Sequence, residues 1–354
     1  MTTPLLTAPV SHFARAEGAP CPTLVLDGAA LPDESPAILE RLTAIRAELH
    51  RAGAGHVLKN ALIKPSAHPL FDLEYRFVQS LPGGHGEFDL RGSCGHSILA
   101  AVDAAARSGM IPPLEPGDRI RVHVLNNDDH VVCEVTETGP ERTGFTAHFL
   151  CNPALPYEDL LITGEPVTEV AVGSRTVPLS LVSMGNPYAF VSAADLGVHT
   201  REELFADDPA LFDLMVRIRV AVCERLGWDA SGAFPKIAAL LPEPDGAMAV
   251  RAVSVPSWHP TLALTGATCL AAAMGIEGTV PWSLLHSTGH DGGMVRIETP
   301  GGPVRAVARS TNPDGRPRLA WVSVGGKQVS YQGRAELSAD HFSPKEAPCL
   351  PLPA

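Results

Sequence analysis

The chain is poor in aromatic side chains. Phe, Trp and Tyr make up 5% of its 354 residues, while Gly and Pro number 32 and 33. That balance disfavours a helical bundle and points to many turns and short strands. Basic clusters are missing as well. Lys and Arg total 27 against 39 Asp and Glu, a net charge of −12. No patch stands out that would draw nucleic acid or an anionic membrane, and neither is an expected partner. No apolar run reaches the length of a membrane span. Met1 to Val10 has no basic segment followed by a long apolar one, so no secretory signal is expected. The seven cysteines are odd in number and scattered, with no CxxC pair. They read as reduced thiols of a cytoplasmic protein, not as a disulfide framework or a zinc site. HExxH and GxSxG are lacking, and Gly83-Gly84-His85-Gly86 has no phosphate-loop lysine. His286, His290 and Asp291 read as part of a Ser-Thr-Gly loop, and no metal is expected.

What is present centres on Arg91-Gly92-Ser93-Cys94-Gly95-His96-Ser97-Ile98-Leu99-Ala100-Ala101-Val102. The strand pattern Glu87 to Leu90 runs into a tight turn, and the turn empties into a small-residue helix from Gly95 to Ser108, with Gly109 as its cap. Cys94 sits at the start of that helix, where the macrodipole favours thiolate. Elsewhere, Ile38, Leu42, Ile45 and Leu49 predict a helix over Ser35 to His50. A strand over Val57 to Ile63 carries Lys59 and Asn60 inside an apolar run. Taken alone, Lys59 is either an edge residue or an amine whose burial tunes it toward neutrality. A sharp turn falls at Met184-Gly185-Asn186-Pro187, and a helix runs from Pro209 to Leu226. Strand patterns close the chain at Leu319 to Val324 and Lys327 to Arg334, and residues after Ser338 read as a loose end.

The length favours two domains, and an internal repeat says how they are related. Gly95-His96-Ser97-Ile98-Leu99-Ala100-Ala101-Val102 aligns with Gly266-Ala267-Thr268-Cys269-Leu270-Ala271-Ala272-Ala273. The expected fold is α+β, with two pseudo-symmetric domains, each a β-sheet or barrel wrapped around a central helix. Residues 1–165 would carry Lys59 and Cys94. Residues 166–354 would carry the second helix from about Thr265, with its last strands able to return to the first domain. Both helix N-termini would then face one cleft and suit a substrate bearing carboxylates. The candidate binding turns are Gly95, His96 and Ser97 on one side and Thr265, Gly266 and Ala267 on the other, with Asn60 beside the lysine. His259, before the second helix, is a candidate carboxylate ligand. Thr265 stands where a second cysteine would be in a symmetric two-thiol site.

Gly92-Ser93-Cys94-Gly95-His96-Ser97, Met184-Gly185-Asn186-Pro187 and His259 to Cys269 through Gly278-Thr279-Val280 together resemble the PrpF family. These are methylaconitate and methylitaconate double-bond isomerases, allied to diaminopimelate epimerase and proline racemase. The resemblance implies the diaminopimelate epimerase-like fold, with a strand lysine and a later cysteine as catalytic pair. Lys59 and Cys94 fall at that spacing. It also places Arg15, Asn186, Lys236, His259 and the Thr265-Gly266 turn near the cleft. Three departures mark a different pocket. Ala16-Glu17-Gly18-Ala19-Pro20-Cys21 replaces the family's Ser-Lys segment, the usual Gly-Gly and Ser/Thr-rich stretch before the lysine is reduced to Gly53-Ala54-Gly55-His56-Val57-Leu58, and His96 stands where asparagine is usual. The expected activity is a cofactor-independent shift of a C=C bond in a small unsaturated di- or tricarboxylic acid, and a homodimer is compatible with it. An amino-acid epimerase or racemase, or a non-catalytic carboxylate-binding protein, are the alternatives.

Overall fold

A computed structural model describes residues 11–31, 35–81, 84–90, 92–254, 257–335 and 337. Residues 1–11 read from the sequence as a loose leader; residues 1–10 of it, Arg91 and the end after Ser338 lie outside the described residues, while Ser11 already belongs to a strand.

The first part of the chain forms β1 (Ser11–Ala16), β2 (Thr23–Asp27), α1 (Ser35–Arg51), β3 (Lys59–Pro65) and β4 (Leu73–Ser80). It continues through β5 (Phe88–Asp89), α2 (Gly95–Ser108), β6 (Arg119–Val124), β7 (Asp129–Thr138) and β8 (Arg142–Pro156). Then follow β9 (Thr168–Val172), β10 (Arg175–Met184), β11 (Asn186–Ser192), α3 (Arg201–Phe205) and α4 (Pro209–Leu226). The last part holds β12 (Lys236–Pro242), β13 (Met248–Ser254), β14 (Ser257–Trp258), α5 (Leu264–Ala273) and α6 (Val280–Ser287). It ends with β15 (Val295–Glu298), β16 (Val304–Thr311) and β17 (Arg318–Ala335).

Strand pairing closes a ring. β1, β2, β3, β4, β6, β7, β8 and β17 hydrogen-bond in that order, and β17 returns to β1. A closed ring leaves no exposed edge. Inside it lies α2, whose residues Gly95 to Ala105 are all buried. A helix enclosed on every side must be small or apolar all round, which is why Ala and Gly recur there. Its one buried carboxylate, Asp103, is satisfied by Thr143 Oγ1 at 2.6 Å and Arg107 Nε at 2.9 Å. A second run of strands, β9 through β13 and on through β15, β16 and β17, curls past α5. All ten residues of α5 are buried. The architecture is thus the epimerase-like one, two helices each wrapped in sheet, with β17 pairing into both.

Strand parity sorts the side chains. Val25, Ala61 and Ile63 point inward toward α2. Leu24, Leu26 and Leu62 point outward, where Ile38, Leu42, Ile45 and Leu49 of α1 cover them.

Two expectations are corrected. The final strands are one element, β17, which passes through Gly325-Gly326 with a register shift between Val324 and Lys327. The glycine pair reads locally as a break. Pairing to β16 before it, to β1 after it and to β8 along both sides holds the strand continuous. His286 is not in a loop but in the last turn of α6. That helix has only eight residues, too short for a periodicity argument. Its start is set by Thr279, whose hydroxyl accepts from Trp282 N at 3.2 Å.

Candidate active site

A cavity of about 340 Å³ opens where α2 and α5 begin. Lys59, Cys94, Gly95, His96, Asn186, His259 and Thr265 all line it, so residues far apart in the chain converge. Phe234 and Lys236 complete one wall.

Lys59 is placed by the parity of β3. It shares the inward face with Ala61 and Ile63, and it is buried at the cavity end of the strand. Asn60 alternates to the other face. Its Nδ2 donates to Val78 O and Ser80 Oγ, each at 3.1 Å, and it does not line the cavity. Arg15 is likewise turned away. Its strand neighbours Ala14 and Ala16 point into the core, and Arg15 is exposed, donating through Nη2 to Ala19 O at 2.9 Å. Ser97, Gly266 and Ala267 lie deeper than the lining. The Ser97 hydroxyl pairs with Thr23 Oγ1 at 2.9 Å. Gly266 meets Tyr188: a Cβ there would stand 2.5 Å from the Tyr188 hydroxyl. Ala267 is fully buried in the core.

Cys94 is the N-cap residue of α2, with extended backbone and no side-chain cap bond. Burial pushes its thiol up. Lys59, the side-chain and backbone hydrogen bonds of Ser97, and Lys236 together outweigh that, and the thiol is lowered from its ordinary value. The buried thiols of Cys133 and Cys269 have no such lysine or Ser97 partner. Burial pushes Cys133 and Cys269 up to about 12.

Two neutral histidines stand beside the thiol. His96 and His259 stack with ring centroids 6.4 Å apart and an interplanar angle of 16°. Burial pushes His96 well below its usual value, and nearby Lys327, Lys59, His259 and Lys236 add to the effect. Burial, then Lys236 and Lys59, bring His259 to about 3. The His259 ring nitrogen Nδ1 is tied to Thr261, at 2.9 Å from its carbonyl oxygen. By contrast, His96 Nε2 and Ser93 Oγ are buried and have no hydrogen-bond partner among the described residues. Unpaired buried polar atoms are costly, and both belong to residues that line the cavity.

Asn186 joins the two halves of the site. The left-handed turn at Gly185 (φ 77°) sets it at the head of β11. Its Nδ2 donates to Ser93 O at 3.2 Å and to Thr265 Oγ1 at 3.0 Å. One amide thereby ties the loop before α2 to the first turn of α5.

Sequence reasoning placed Lys236 near the cleft by resemblance only. The structure gives it a charge environment: burial pushes it down to about 8, with Cys94 opposing and Lys59 reinforcing that shift. Its position depends on Arg219, which no motif announced. This fully buried arginine of α4 donates Nε to Pro235 O at 2.8 Å and Nη1 to Ala230 O at 2.9 Å, and Nη2 to Gly232 O. It holds the loop that presents Phe234 and Lys236. The only local signal was a charged residue on the apolar side of a predicted helix.

The cavity therefore combines one thiol of lowered pKa, two lysines, two uncharged imidazoles and two helix N-termini. Such a site attracts carboxylates and can move a proton between two walls.

The family profile described as "PrpF protein" matches residues 149–338. The chain is 27% identical over 295 residues to 3-methylitaconate isomerase of Eubacterium barkeri, covering 71% of this chain and 76% of that one. It is 25% identical over 293 residues to (4E)-oxalomesaconate Delta-isomerase of Novosphingobium sp. (strain KA1), covering 72% and 79%. Among solved structures, methylitaconate-delta-isomerase superposes with a TM-score of 0.67 at 21% identity, covering 96% of this chain and 98% of that one. At that identity the likeness speaks for the fold.

Proposed function

This chain belongs to the PrpF family and is an isomerase, and we propose that it moves a C=C bond in a small unsaturated di- or tricarboxylic acid. The observation that carries the proposal is the meeting of Lys59 and Cys94 in one cavity whose walls also hold the unpartnered Ser93 Oγ and His96 Nε2.

An allylic shift takes a proton from a carbon next to the double bond and returns one two carbons away. The substrate's overall oxidation state does not change, so the chemistry calls for no redox cofactor. The difficult step is the enolate-like carbanion formed in between. A substrate carboxylate lying at the start of α2 would meet free backbone N–H groups and the positive end of the helix, which stabilise the charge as it spreads onto oxygen. Ser93 Oγ and His96 Nε2 would complete its hydrogen bonds. Lys236 would hold a second carboxylate. Lys59 and Cys94 share the acid–base work, and the lysine's charge draws the thiol toward its anion. Thr265 opposite offers no second thiol, which favours this shift over two-thiol racemisation.

Hydrogen exchange tests the reading. The enzyme is mixed with unsaturated di- and tricarboxylates in deuterated water, and deuterium entering the allylic carbon is followed by NMR. We expect exchange in the native chain and its loss in Cys94→Ser and in Lys59→Ala. Exchange that survives in both variants overturns the assignment.

A further inference from the structure

A second constellation stands on the hairpin of β6 and β7. Strand register sets His123 directly opposite His130. The turn between the strands brings Asp128 back to them, with His123 Nε2 and Asp128 Oδ1 2.6 Å apart. One donor atom from each of the three side chains lies within 4.8 Å of the other two. Among the described residues, no other group of three His, Cys, Asp or Glu side chains meets that condition. Phe71 fixes the rings from one side. It stacks on His123 at 4.9 Å and meets His130 edge-on at 4.8 Å. Asp128 is exposed and the two histidines are half-buried, so solvent reaches the donors.

We propose that His123, Asp128 and His130 form a binding site for a divalent transition metal ion of the zinc class. Two imidazoles and one carboxylate are a donor set that suits zinc, cobalt or nickel, with water filling the remaining position. Donors about 2.0–2.2 Å from a tetrahedral ion lie about 3.4 Å from one another. The His123–Asp128 pair must open by under 1 Å from 2.6 Å, and the wider pairs must close from at most 4.8 Å. Rotation of the exposed Asp128 carboxylate, with small ring adjustments, supplies both movements. The backbone is already committed. Asp128 holds φ 60°, the left-handed conformation, alone among the described non-glycine residues, and aspartate tolerates it better than most side chains.

The position of the turn gives the ion a structural role. Its Asn126 accepts from Phe77 N at 2.7 Å and donates to Phe77 O at 2.9 Å and Leu90 O at 2.6 Å. Leu90 follows β5 directly, on the way to the Cys94 loop. On the other side, a Cβ built at Gly185 would lie 3.7 Å from Asp129 Oδ2, and Gly185 sets Asn186. An ion held at Asp128 would therefore brace the turn that supports both sides of the cavity.

The test uses the untagged full chain in equilibrium dialysis against Zn²⁺ and, in parallel, Co²⁺. We expect one ion per chain at micromolar metal, a visible Co²⁺ absorption band, and a higher melting temperature with Zn²⁺. Asp128→Asn keeps a residue that tolerates positive φ, so it preserves the turn while weakening the donor set. It and His130→Ala should each lower affinity at least tenfold and abolish the Zn²⁺-dependent rise. Absence of stoichiometric binding, or binding unchanged in both variants, overturns the site. Stoichiometric binding with no rise in melting temperature overturns its bracing role.

Discussion

Gly95 and Leu264 are the first residues of the two central helices, and they touch. A Cβ at Gly95 would stand 2.6 Å from Leu264 Cδ2 and 2.9 Å from Leu264 Cβ. The contact seats the two N-termini against each other, and Leu264 lines the cavity as well. Glycine is needed here for space, not for an unusual backbone.

Gly95→Ala therefore sets two effects against each other. Alanine favours the helix by about 1 kcal/mol. Overpacking costs about 1–3 kcal/mol, and Leu264 Cβ is anchored to the α5 backbone and cannot swing away. Overpacking wins, and the urea midpoint falls by an amount equivalent to about 1 kcal/mol. Adding Leu264→Ala removes the Cγ and Cδ2 contacts but keeps Cβ, so it should relieve the clash in part. A double-mutant cycle checks this: a coupling energy near zero would show that the helices do not meet there.

The lowered Cys94 thiol should react ahead of its buried counterparts. Iodoacetamide labelling, followed by mass spectrometry against pH, should show Cys94 alkylated with an inflection below that of an ordinary thiol. Cys133 and Cys269, pushed up to about 12, stay unlabelled. Lys59 and Lys236 both favour the thiolate, so Lys59→Ala or Lys236→Met should move the inflection to higher pH. An inflection that stays put in both variants would contradict this electrostatic picture.

Substrate affinity should weaken at alkaline pH. Burial brings Lys236 to about 8, so it is charged below that pH and neutral above it. If it holds a substrate carboxylate, KM rises as pH passes through 8. Lys236→Arg keeps the charge and should flatten that limb. His96 and His259 are both pushed far below their usual values and stay uncharged across this range. Neither should contribute an inflection near 6.5 to kcat/KM.

Arg219 should matter to both stability and binding. Arg219→Met leaves the carbonyls of Ala230, Gly232 and Pro235 without their donor inside the protein. The Pro235 bond is buried and the other two are half-buried; an unsatisfied buried group costs about 1–3 kcal/mol, so a loss of about 1–3 kcal/mol is expected in chemical denaturation. Arg219→Lys keeps the charge but not the planar fork and should recover only part of it. Because the loop presents Phe234 and Lys236, KM should rise more than kcat falls in Arg219→Lys.

Much of the frame was readable because it is encoded locally. Helix α2 spans Gly95–Ser108 with Gly109 in left-handed conformation, and α4 spans Pro209–Leu226 ahead of Gly227, matching the boundaries expected from caps and periodicity. The site was readable only in part. Lys59 and Cys94 face one cavity, but Arg15 and Asn60 do not. Proximity along a strand says nothing about face until the register is known, and a shift of one residue reverses it. Arg219 was overlooked because its partners are backbone carbonyls of a loop, which carry no sequence signature.

By itself the sequence determined the family resemblance, the repeat that pairs two small-residue helices, and the placing of a cysteine at a helix start. These follow from spacing, composition and turn chemistry, which act over a few residues. Only the tertiary structure decided which groups share the cavity and how they are charged. Ring closure through β17 turns Lys59 inward, and Asn186 reaches both Ser93 and Thr265. Burial leaves His96 and His259 uncharged beside a thiol that lysines draw toward its anion. Burial and charge coupling are properties of atoms brought together across the whole chain, and no local stretch contains them.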